Sequence, residues 1–239
     1  ACAEARFALY ELEKVMIGRL GRRDKASRIR GLYVIVDPEV SRGRSEAEVA
    51  RAALAGGARV LQLRAKNKEK GLLLPLAVEL KALCAQAGAL FIVNDHPDLA
   101  MACDADGVHV GQKDLPVRVV RDMVPLEMLV GCSTNNPEEA HQAQQDGADY
   151  VGVGAIFPTD TKADTRPASL ETIGRVKAAT SMPVVAIGGI NQGNIAQVML
   201  AGADAAAVIS AVGGADDVEA ATRALVARIG SDFEGNVTG

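Results

Sequence analysis

Val151-Gly-Val-Gly-Ala-Ile-Phe-Pro-Thr-Asp-Thr-Lys162 decides how the whole chain is read. A run of β-branched and small apolar residues breaks at Pro158 into a loop carrying two hydroxyls and an ammonium, the pattern of a buried strand that delivers a polar loop to one end of a sheet. Working outward, strand-like runs of the same kind stand at 32 to 37, 60 to 65, 90 to 94, 107 to 111, 128 to 132, 150 to 156, 183 to 188 and 205 to 210. Helix-patterned segments lie between and after them, at 46 to 55, 69 to 87, 97 to 102, 116 to 123, 136 to 146, 169 to 179, 192 to 200 and 216 to 229. Several helices stop on small residues just before the next strand: Ala55-Gly-Gly-Ala58, Gln86-Ala-Gly-Ala89, Asp146-Gly-Ala-Asp149 and Ala201-Gly-Ala-Asp204. Glycine past the last turn terminates a helix, and alanine lets the chain re-enter the sheet closely.

Strictly alternating strands and helices imply parallel pairing through right-handed crossovers. Runs apolar on both faces, such as Pro183-Val-Val-Ala-Ile187, require helices on one side and a filled core on the other. Eight such units with no composition break after residue 31 predict an α/β fold, a (β/α)8 TIM barrel. An open doubly wound sheet would need a nucleotide-binding fingerprint after its first strand, and Asp37-Pro-Glu-Val-Ser41 is not one. Before the barrel, residues 4 to 20 carry Phe7, Tyr10, Val15 and Met16 on an irregular apolar stripe, with acids early and bases late, which predicts an extra N-terminal helix. A basic hinge at 27 to 31 follows. The expected division is a helical extension over 1–30, a catalytic barrel over 31–230 and a tail over 231–239.

Composition narrows the function classes. The 239 residues are 49% hydrophobic, with no Trp, four Phe and three Tyr, a globular balance suited to close helix-on-sheet packing. A formal charge of −4 offers no general attraction to nucleic acid or an anionic membrane, so an anionic ligand must be held by a few placed cations. The four cysteines, at 2, 84, 103 and 132, show no metal-type spacing and read as core residues in a reducing cytoplasm. No apolar run nears the ~18 residues of a membrane span and no leader is evident, so the expectation is a soluble, unprocessed protein.

In a barrel of this kind the polar residues at the C-terminal ends of the strands converge on one face. Strand 2 ends Gln62-Leu-Arg64-Ala-Lys66, and period-two alternation sends one amide and two cations the same way, toward a polyanion. Strand 3 ends Val93-Asn94-Asp95-His96, and strand 4 continues to Gln112-Lys-Asp114. Asp95 and Asp114, on neighbouring strand ends, are a carboxylate pair able to share Mg²⁺, although Pro97 and Pro116 nearby also make each a candidate helix cap. His109 is expected to be a satisfied structural histidine, and His96 and His141 surface residues. Strand 5 ends Gly131-Cys-Ser133-Thr134-Asn135, with Thr134 or Asn135 as a cap and Ser133 as a ligand to phosphate oxygen. Thr159, Thr161 and Lys162 sit in a loop that nothing structural requires. Strand 7 ends Gly188-Gly189-Ile190 and strand 8 ends Ile209-Ser210-Ala211, where backbone N–H groups bind phosphate in many such barrels. One phosphate site near strands 7 and 8 and one cation-rich, Mg²⁺-capable site across strands 2 to 5 result. With no evident general base, the chemistry must come from charge neutralisation and positioning.

From about Gly31 to Ile229 these motifs, in order, resemble the thiamine-phosphate synthase family: Gln62-Leu-Arg-Ala-Lys66, Asn94-Asp95, Asp106-Gly-Val-His-Val-Gly-Gln-Lys-Asp114, Gly131-Cys-Ser-Thr134, Pro158-Thr-Asp-Thr-Lys162, Gly188-Gly-Ile190 and Ile209-Ser-Ala211. The resemblance implies a transferase that joins hydroxymethylpyrimidine pyrophosphate to thiazole phosphate, or its carboxylate, forming thiamine phosphate and pyrophosphate with Mg²⁺. It assigns Gln62, Arg64, Lys66, Asn94, Ser133 and Lys162 to the pyrimidine pyrophosphate, Arg64, Ser133 and Lys162 among them being catalytic. Asp95 and Asp114 would hold the metal, and Thr159, Thr161, Gly189, Ile209 and Ser210 the thiazole phosphate. It also implies a dissociative reaction in which pyrophosphate leaves before the thiazole nitrogen attacks. Ala65 departs from the Glu common in the family, at a position that alternates away from the site, and residues 1 to 30 lie outside the match and are expected to pack on the barrel or reach a neighbouring subunit, as in a homo-oligomer.

Two rival readings share the barrel. A thiazole tautomerase would use the phosphate loop alone and give Arg64, Lys66, Asp95, Asp114 and Lys162 no pyrophosphate to neutralise. A non-catalytic barrel binding thiamine phosphate could lose the acid pair, which this sequence retains.

Overall fold

The alternation carries through from residue 31. The computed structural model describes residues 2–159 and 166–230. After α1 (Cys2–Ser27) come β1 (Gly31–Val36), α2 (Glu46–Ala55), β2 (Val60–Leu63), α3 (Lys70–Ala87), β3 (Leu90–Asn94), α4 (Pro97–Ala102), β4 (Gly107–Val110) and α5 (Val117–Met123). The second half runs β5 (Leu129–Thr134), α6 (Pro137–Gln145), β6 (Tyr150–Val153), α7 (Leu170–Ala179), β7 (Val184–Ile187), α8 (Ile195–Leu200), β8 (Ala205–Val208), α9 (Ser210–Gly213) and α10 (Val218–Gly230). The strands close in chain order into a barrel, with β8 parallel to β1 through Gly31 opposite Ala205. Two short pieces join the expected pattern, a 3₁₀ turn at Pro38–Val40 and α9. β5 runs on to Thr134, so Ser133 lies within the strand, whereas β6 stops at Val153, short of the expected 156.

Period-two alternation sorts each strand between two cores. Leu32, Val34 and Val36 of β1 point out to the helices, while Tyr33 and Ile35 point into the barrel with Val60, Leu90, Ile92, Leu129, Tyr150, Val185, Ala205 and Ala207. Glycine makes room where an interior ring is large. A Cβ on Gly131 would stand 2.1 Å from Cζ of Tyr150, its register partner on β6.

Register is fixed at the N-terminal ends of the strands by a device used three times. Asp106, Asp149 and Asp204 stand immediately before β4, β6 and β8, and each accepts an N–H from the start of the preceding strand: Phe91 at 2.9 Å, Val130 at 2.9 Å and Val184 at 2.7 Å. Each also pairs with a cation from a helix packed outside: Lys81 at 2.8 Å, Arg121 at 3.2 Å and Lys177 at 2.5 Å. The acid that closes the small-residue stop signals at 149 and 204 is therefore a strand staple.

The predicted N-terminal helix is present and longer than expected, and it docks at this same end. Gly18 lets it approach Leu126, and Arg22 Nε meets Asp149 Oδ1 at 2.9 Å. Its other face leaves Leu9, Tyr10, Leu12, Met16, Ile17 and Leu20 exposed. Among the described residues no helix is long and apolar enough to cross a membrane.

Candidate active site

At the opposite end, the rim over β1 to β4 is built from charged side chains. Asp37, just past β1, accepts the Glu39 N–H at 3.0 Å through Oδ1 and ion-pairs with Arg64 through Oδ2. Both residues are buried, so the guanidinium at the end of β2 is held in one place, with its Nε meeting no partner among the described residues. Lys66, two residues on, is exposed and places Nζ 3.4 Å from Asp95 Oδ2. Asn94 is buried as the last residue of β3.

Asp95 follows in the left-handed backbone region (φ 64°), its N–H donated to His109 O at 2.8 Å, and its carboxyl lies within the influence of that of Asp114. Burial first, and then Asp114, raise the Asp95 carboxyl above the ordinary carboxylate range, with Lys66 opposing. Asp114 Oδ2 also accepts the Gly111 N–H at 2.7 Å. Neither acid caps a helix: α4 has His96 and α5 has Pro116 at the cap position, without side-chain cap bonds. The ordinary structural role of these carboxylates is thus missing.

Below this rim lies a cleft lined by Tyr33, Gln62, His109, Ser133, Tyr150 and Ile187, among others. Its polar groups form a chain across the barrel. Gln62 Nε2 donates to Tyr33 OH at 2.8 Å, Tyr33 OH meets Tyr150 OH at 3.2 Å, His109 Nδ1 meets Tyr150 OH at 3.2 Å, and His109 Nε2 meets Ser133 Oγ at 3.0 Å. His109 is structurally satisfied, as expected, but it is also part of the floor of the site. Gly152 accommodates it, since a Cβ there would lie 3.3 Å from its Cε1.

The far side of the mouth is built from backbone. Past β6 the chain is stitched to the end of β7 by Ile156 N to Ile187 O at 3.0 Å and Phe157 N to Gly188 O at 3.1 Å. Gly189 (φ 62°) lies so close that a Cβ would stand 2.6 Å from Pro158 O. Thr159 is half-buried beside it along the chain. Across from this turn, α9 starts at Ser210 with Ile209 at its cap and no side-chain cap bond. Thr161 and Lys162 lie outside the described residues. Both flanks of their loop are anchored: Ala155 N donates to Arg166 O at 2.9 Å, and Arg166 makes a bidentate pair with Glu139 at 2.6 and 2.7 Å.

The rim therefore unites Arg64, Lys66, Asn94, Asp95 and Asp114 on neighbouring strand ends, while Gln62 and Ser133 lie deeper. Several expectations change. The cap of α6 is Asn136, which accepts the Glu139 N–H, and not Thr134 or Asn135. His96 is half-buried at the start of α4 instead of at the surface. Ala65 is buried among the helix-facing residues, away from the site as its alternation requires. Sequence reasoning passed over Asp37, Tyr33 and Tyr150. The inward phase of Tyr33 and Tyr150 in otherwise apolar strands was the available signal for the phenols. Asp37 carried none beyond its place after a strand.

The donor set suits a hard divalent cation. Two carboxylates lie together with one lysine nearby, a set of hard oxygen donors carrying net negative charge. Among the described residues no group of three or more His, Cys, Asp or Glu side chains could hold a metal, so ligand oxygens would have to complete the shell.

The chain is similar to known proteins over most of its length. Residues 32–212 match the family model described as thiamine monophosphate synthase. A thiamine-phosphate synthase of Chloroflexus aurantiacus is 51% identical over 83% of this chain and 92% of its own length, and one of Methanocella arvoryzae is 48% identical over 83% and 94%. A thiamine phosphate pyrophosphorylase from Pyrococcus furiosus, solved as a structure, superposes with a TM-score of 0.78 at 40% identity, covering 85% of this chain and 96% of that one. α1 lies wholly before the start of the family match.

Proposed function

The chain belongs to the thiamine monophosphate synthase family and has that family's transferase activity, thiamine-phosphate synthesis; from this premise we propose how the mouth of its barrel divides the two substrates. The pyrimidine pyrophosphate lies over β2 to β5, held by Gln62, Arg64, Lys66, Asn94, Ser133 and Lys162. The thiazole phosphate, carboxylated or not, lies over β6 to β8, held by Thr159, Thr161, Gly189, Ile209 and Ser210. The observation that carries this reading is the facing pair Asp95 and Asp114 beside Lys66, two acids without a capping role at a rim otherwise fitted for anions.

The residues act by placement. Arg64, fixed by Asp37, presents its guanidinium to oxygens whose negative charge grows as pyrophosphate departs, which is selective stabilisation of the transition state. Lys66 and Lys162 supply further positive charge to the leaving group. Mg²⁺ held by Asp95 and Asp114 would supply further neutralisation of the leaving pyrophosphate. The pyrimidine-methyl cation, stabilised by its own ring amine, is then attacked by the thiazole nitrogen, so no protein base is required. Incubating the protein with both phosphorylated heterocycles, with and without Mg²⁺, tests the scheme. Pyrophosphate release that needs both the cation and the pyrimidine substrate is expected, and release indifferent to Mg²⁺ would refute the role of the acid pair.

A cytoplasmic location is supported by the free, buried thiols of Cys84, Cys103 and Cys132. Self-association is supported by α1. Its exposed Leu12, Met16, Ile17 and Leu20 form an apolar face that the same face of a second copy would cover. Leu12→Lys with Ile17→Lys should lower the mass seen by sedimentation; an unchanged mass would remove α1 from any interface.

A further inference from the structure

The chain of hydrogen bonds under the mouth has a direction. Gln62 Nε2 can only donate, so Tyr33 oxygen accepts. Each phenol has one hydrogen. With its oxygen already accepting from Gln62, Tyr33 directs its own hydrogen to Tyr150, and Tyr150 directs its hydrogen to His109 Nδ1. An imidazole accepting at Nδ1 carries its proton on Nε2 and donates it to Ser133 Oγ. Reversing the middle of the chain would leave Tyr33 oxygen facing two donors and its own hydrogen without a place in the chain. Both phenols are buried, and desolvation raises each far above the ordinary tyrosine value, so both remain O–H donors at any working pH.

The two ends of this chain are residues that the proposed function gives to the pyrimidine pyrophosphate, and the inference rests on that reading. With one amide N–H given to Tyr33, the Gln62 carboxamide is fixed in orientation with its oxygen turned away from the phenol, an acceptor suited to the pyrimidine amine. With its oxygen accepting from His109, Ser133 has its hydrogen free, a donor suited to an anionic oxygen. We infer that Tyr33, Tyr150 and His109 are positioning residues that couple the two ends, so that the floor presents an acceptor at Gln62 and a donor at Ser133 together. The substrate needs both, an amine acceptor at its ring and an anion donor at its leaving group. The arrangement discriminates against analogues in which the amine is replaced by a carbonyl, since these place an acceptor against the Gln62 oxygen.

The test variant is Tyr150→Phe, which keeps the ring packed against Gly131 and removes only the linking hydroxyl. The chain has three histidines, so ¹⁵N spectra of the imidazoles in the ligand-free protein can be assigned by loss of the His109 signal in His109→Gln. The expected result is the neutral Nε2–H tautomer of His109 in the native protein and a mixture of tautomers in Tyr150→Phe. An Nδ1–H tautomer in the native protein, or no change in the variant, overturns the chain. In kinetics, Tyr150→Phe should lower kcat/KM for the pyrimidine pyrophosphate by about tenfold, the effect of one lost buried hydrogen bond, and leave KM for the thiazole phosphate unchanged. Gln62→Met and Ser133→Ala should be coupled by about fivefold in the native background and independent in Tyr150→Phe. Independence in the native protein overturns the coupling. A correct tautomer with unaltered pyrimidine kinetics in every variant would instead overturn the placing of the pyrimidine on this floor.

Discussion

The two sides of the barrel mouth are made from different materials. Over β1 to β4 the surface is side chain: Arg64 on Asp37, Lys66 on Asp95, Asp95 on Asp114. Over β6 to β8 it is largely main chain, a turn at Gly188 and Gly189 pressed against the carbonyl of Pro158 and the uncapped start of α9. A departing pyrophosphate changes its charge during the reaction, and ionised groups respond strongly to such a change. A phosphate ester that only has to be held keeps its charge, and fixed N–H groups suffice. On the proposed division of substrates, the reacting anion and the anchoring anion would be told apart by how they are bound.

Arg64→Ala should break the comparison most severely. Removing one aligned donor to developing charge costs roughly a hundred- to a thousandfold in kcat, and steady-state rates of pyrophosphate release would show it. Asp37 would also lose its partner while buried, so urea denaturation should show a loss of about 3 kcal/mol. Asp37→Asn separates the two effects, because it keeps Arg64 but frees its guanidinium to move. An intermediate rate is expected there, and a native rate in Arg64→Ala would mean that the side-chain half does not face the reacting anion.

Gly189→Ala attacks the other half. At φ 62° with Pro158 O in the way, the added Cβ forces the turn to shift and costs about 1 to 2 kcal/mol of local strain. KM for the thiazole phosphate should rise about tenfold while KM for the pyrimidine pyrophosphate holds. If both rise together, the halves are not separate sites.

This contrast also explains what could be read from the chain. Strands and helices were legible because each is long enough to show its period, and the outward run Leu32, Val34, Val36 alternates with Tyr33 and Ile35 as a barrel strand must. Gln62, Arg64, Asp95 and Asp114 were legible because charged and amide groups are conspicuous at the ends of apolar runs. The backbone half showed itself only as paired glycines, which mean equally a tight connection. Tyr33 and Tyr150 stand in apolar runs with nothing to single them out, and they are core. Their hydroxyls meet only because β1 and β6 lie across the barrel from each other, a contact 117 residues apart that no local pattern encodes. Asp106 was legible only as the opening of the strand 4 motif, and Asp149 and Asp204 only as the ends of stop signals, since the partners that make them staples lie on other elements.

Asp95→Asn sharpens the comparison by opposing stability to function. Burial and Asp114 raise the folded-state value of Asp95, so its ionised form is the less favoured one in the folded protein. The Asn variant should therefore melt higher than the native protein near neutral pH without added metal. That gain should be present above the raised value and fade as pH falls below the ordinary carboxylate range, where the native side chain is protonated in both states. Pyrophosphate release should meanwhile need more Mg²⁺, by about tenfold, as seen in a cation titration at fixed substrate. A lower melting temperature at neutral pH would show that the acid pair is not strained.

The smallest effect is expected where the two halves meet, at the Arg166 and Glu139 pair that anchors the loop after β6. The Arg166 hydrogen bonds lower the Glu139 carboxyl below its ordinary value, opposed in part by burial. A lowered acid contributes stability above its unfolded value and loses it as pH falls through the folded one. The pair is largely exposed to solvent and screened, so Arg166→Gln should cost only a few tenths of a kcal/mol at neutral pH and nothing at pH below the folded value. Melting curves of the two proteins should therefore converge on acidification. The kinetic consequence should exceed the thermal one, because Arg166 O also holds the Ala155 N–H that leads into the backbone half. A variant that melts like the native protein yet binds thiazole phosphate more weakly would place the anchor in the service of that half, whereas unchanged binding would make the ion pair a surface contact with no part in the site.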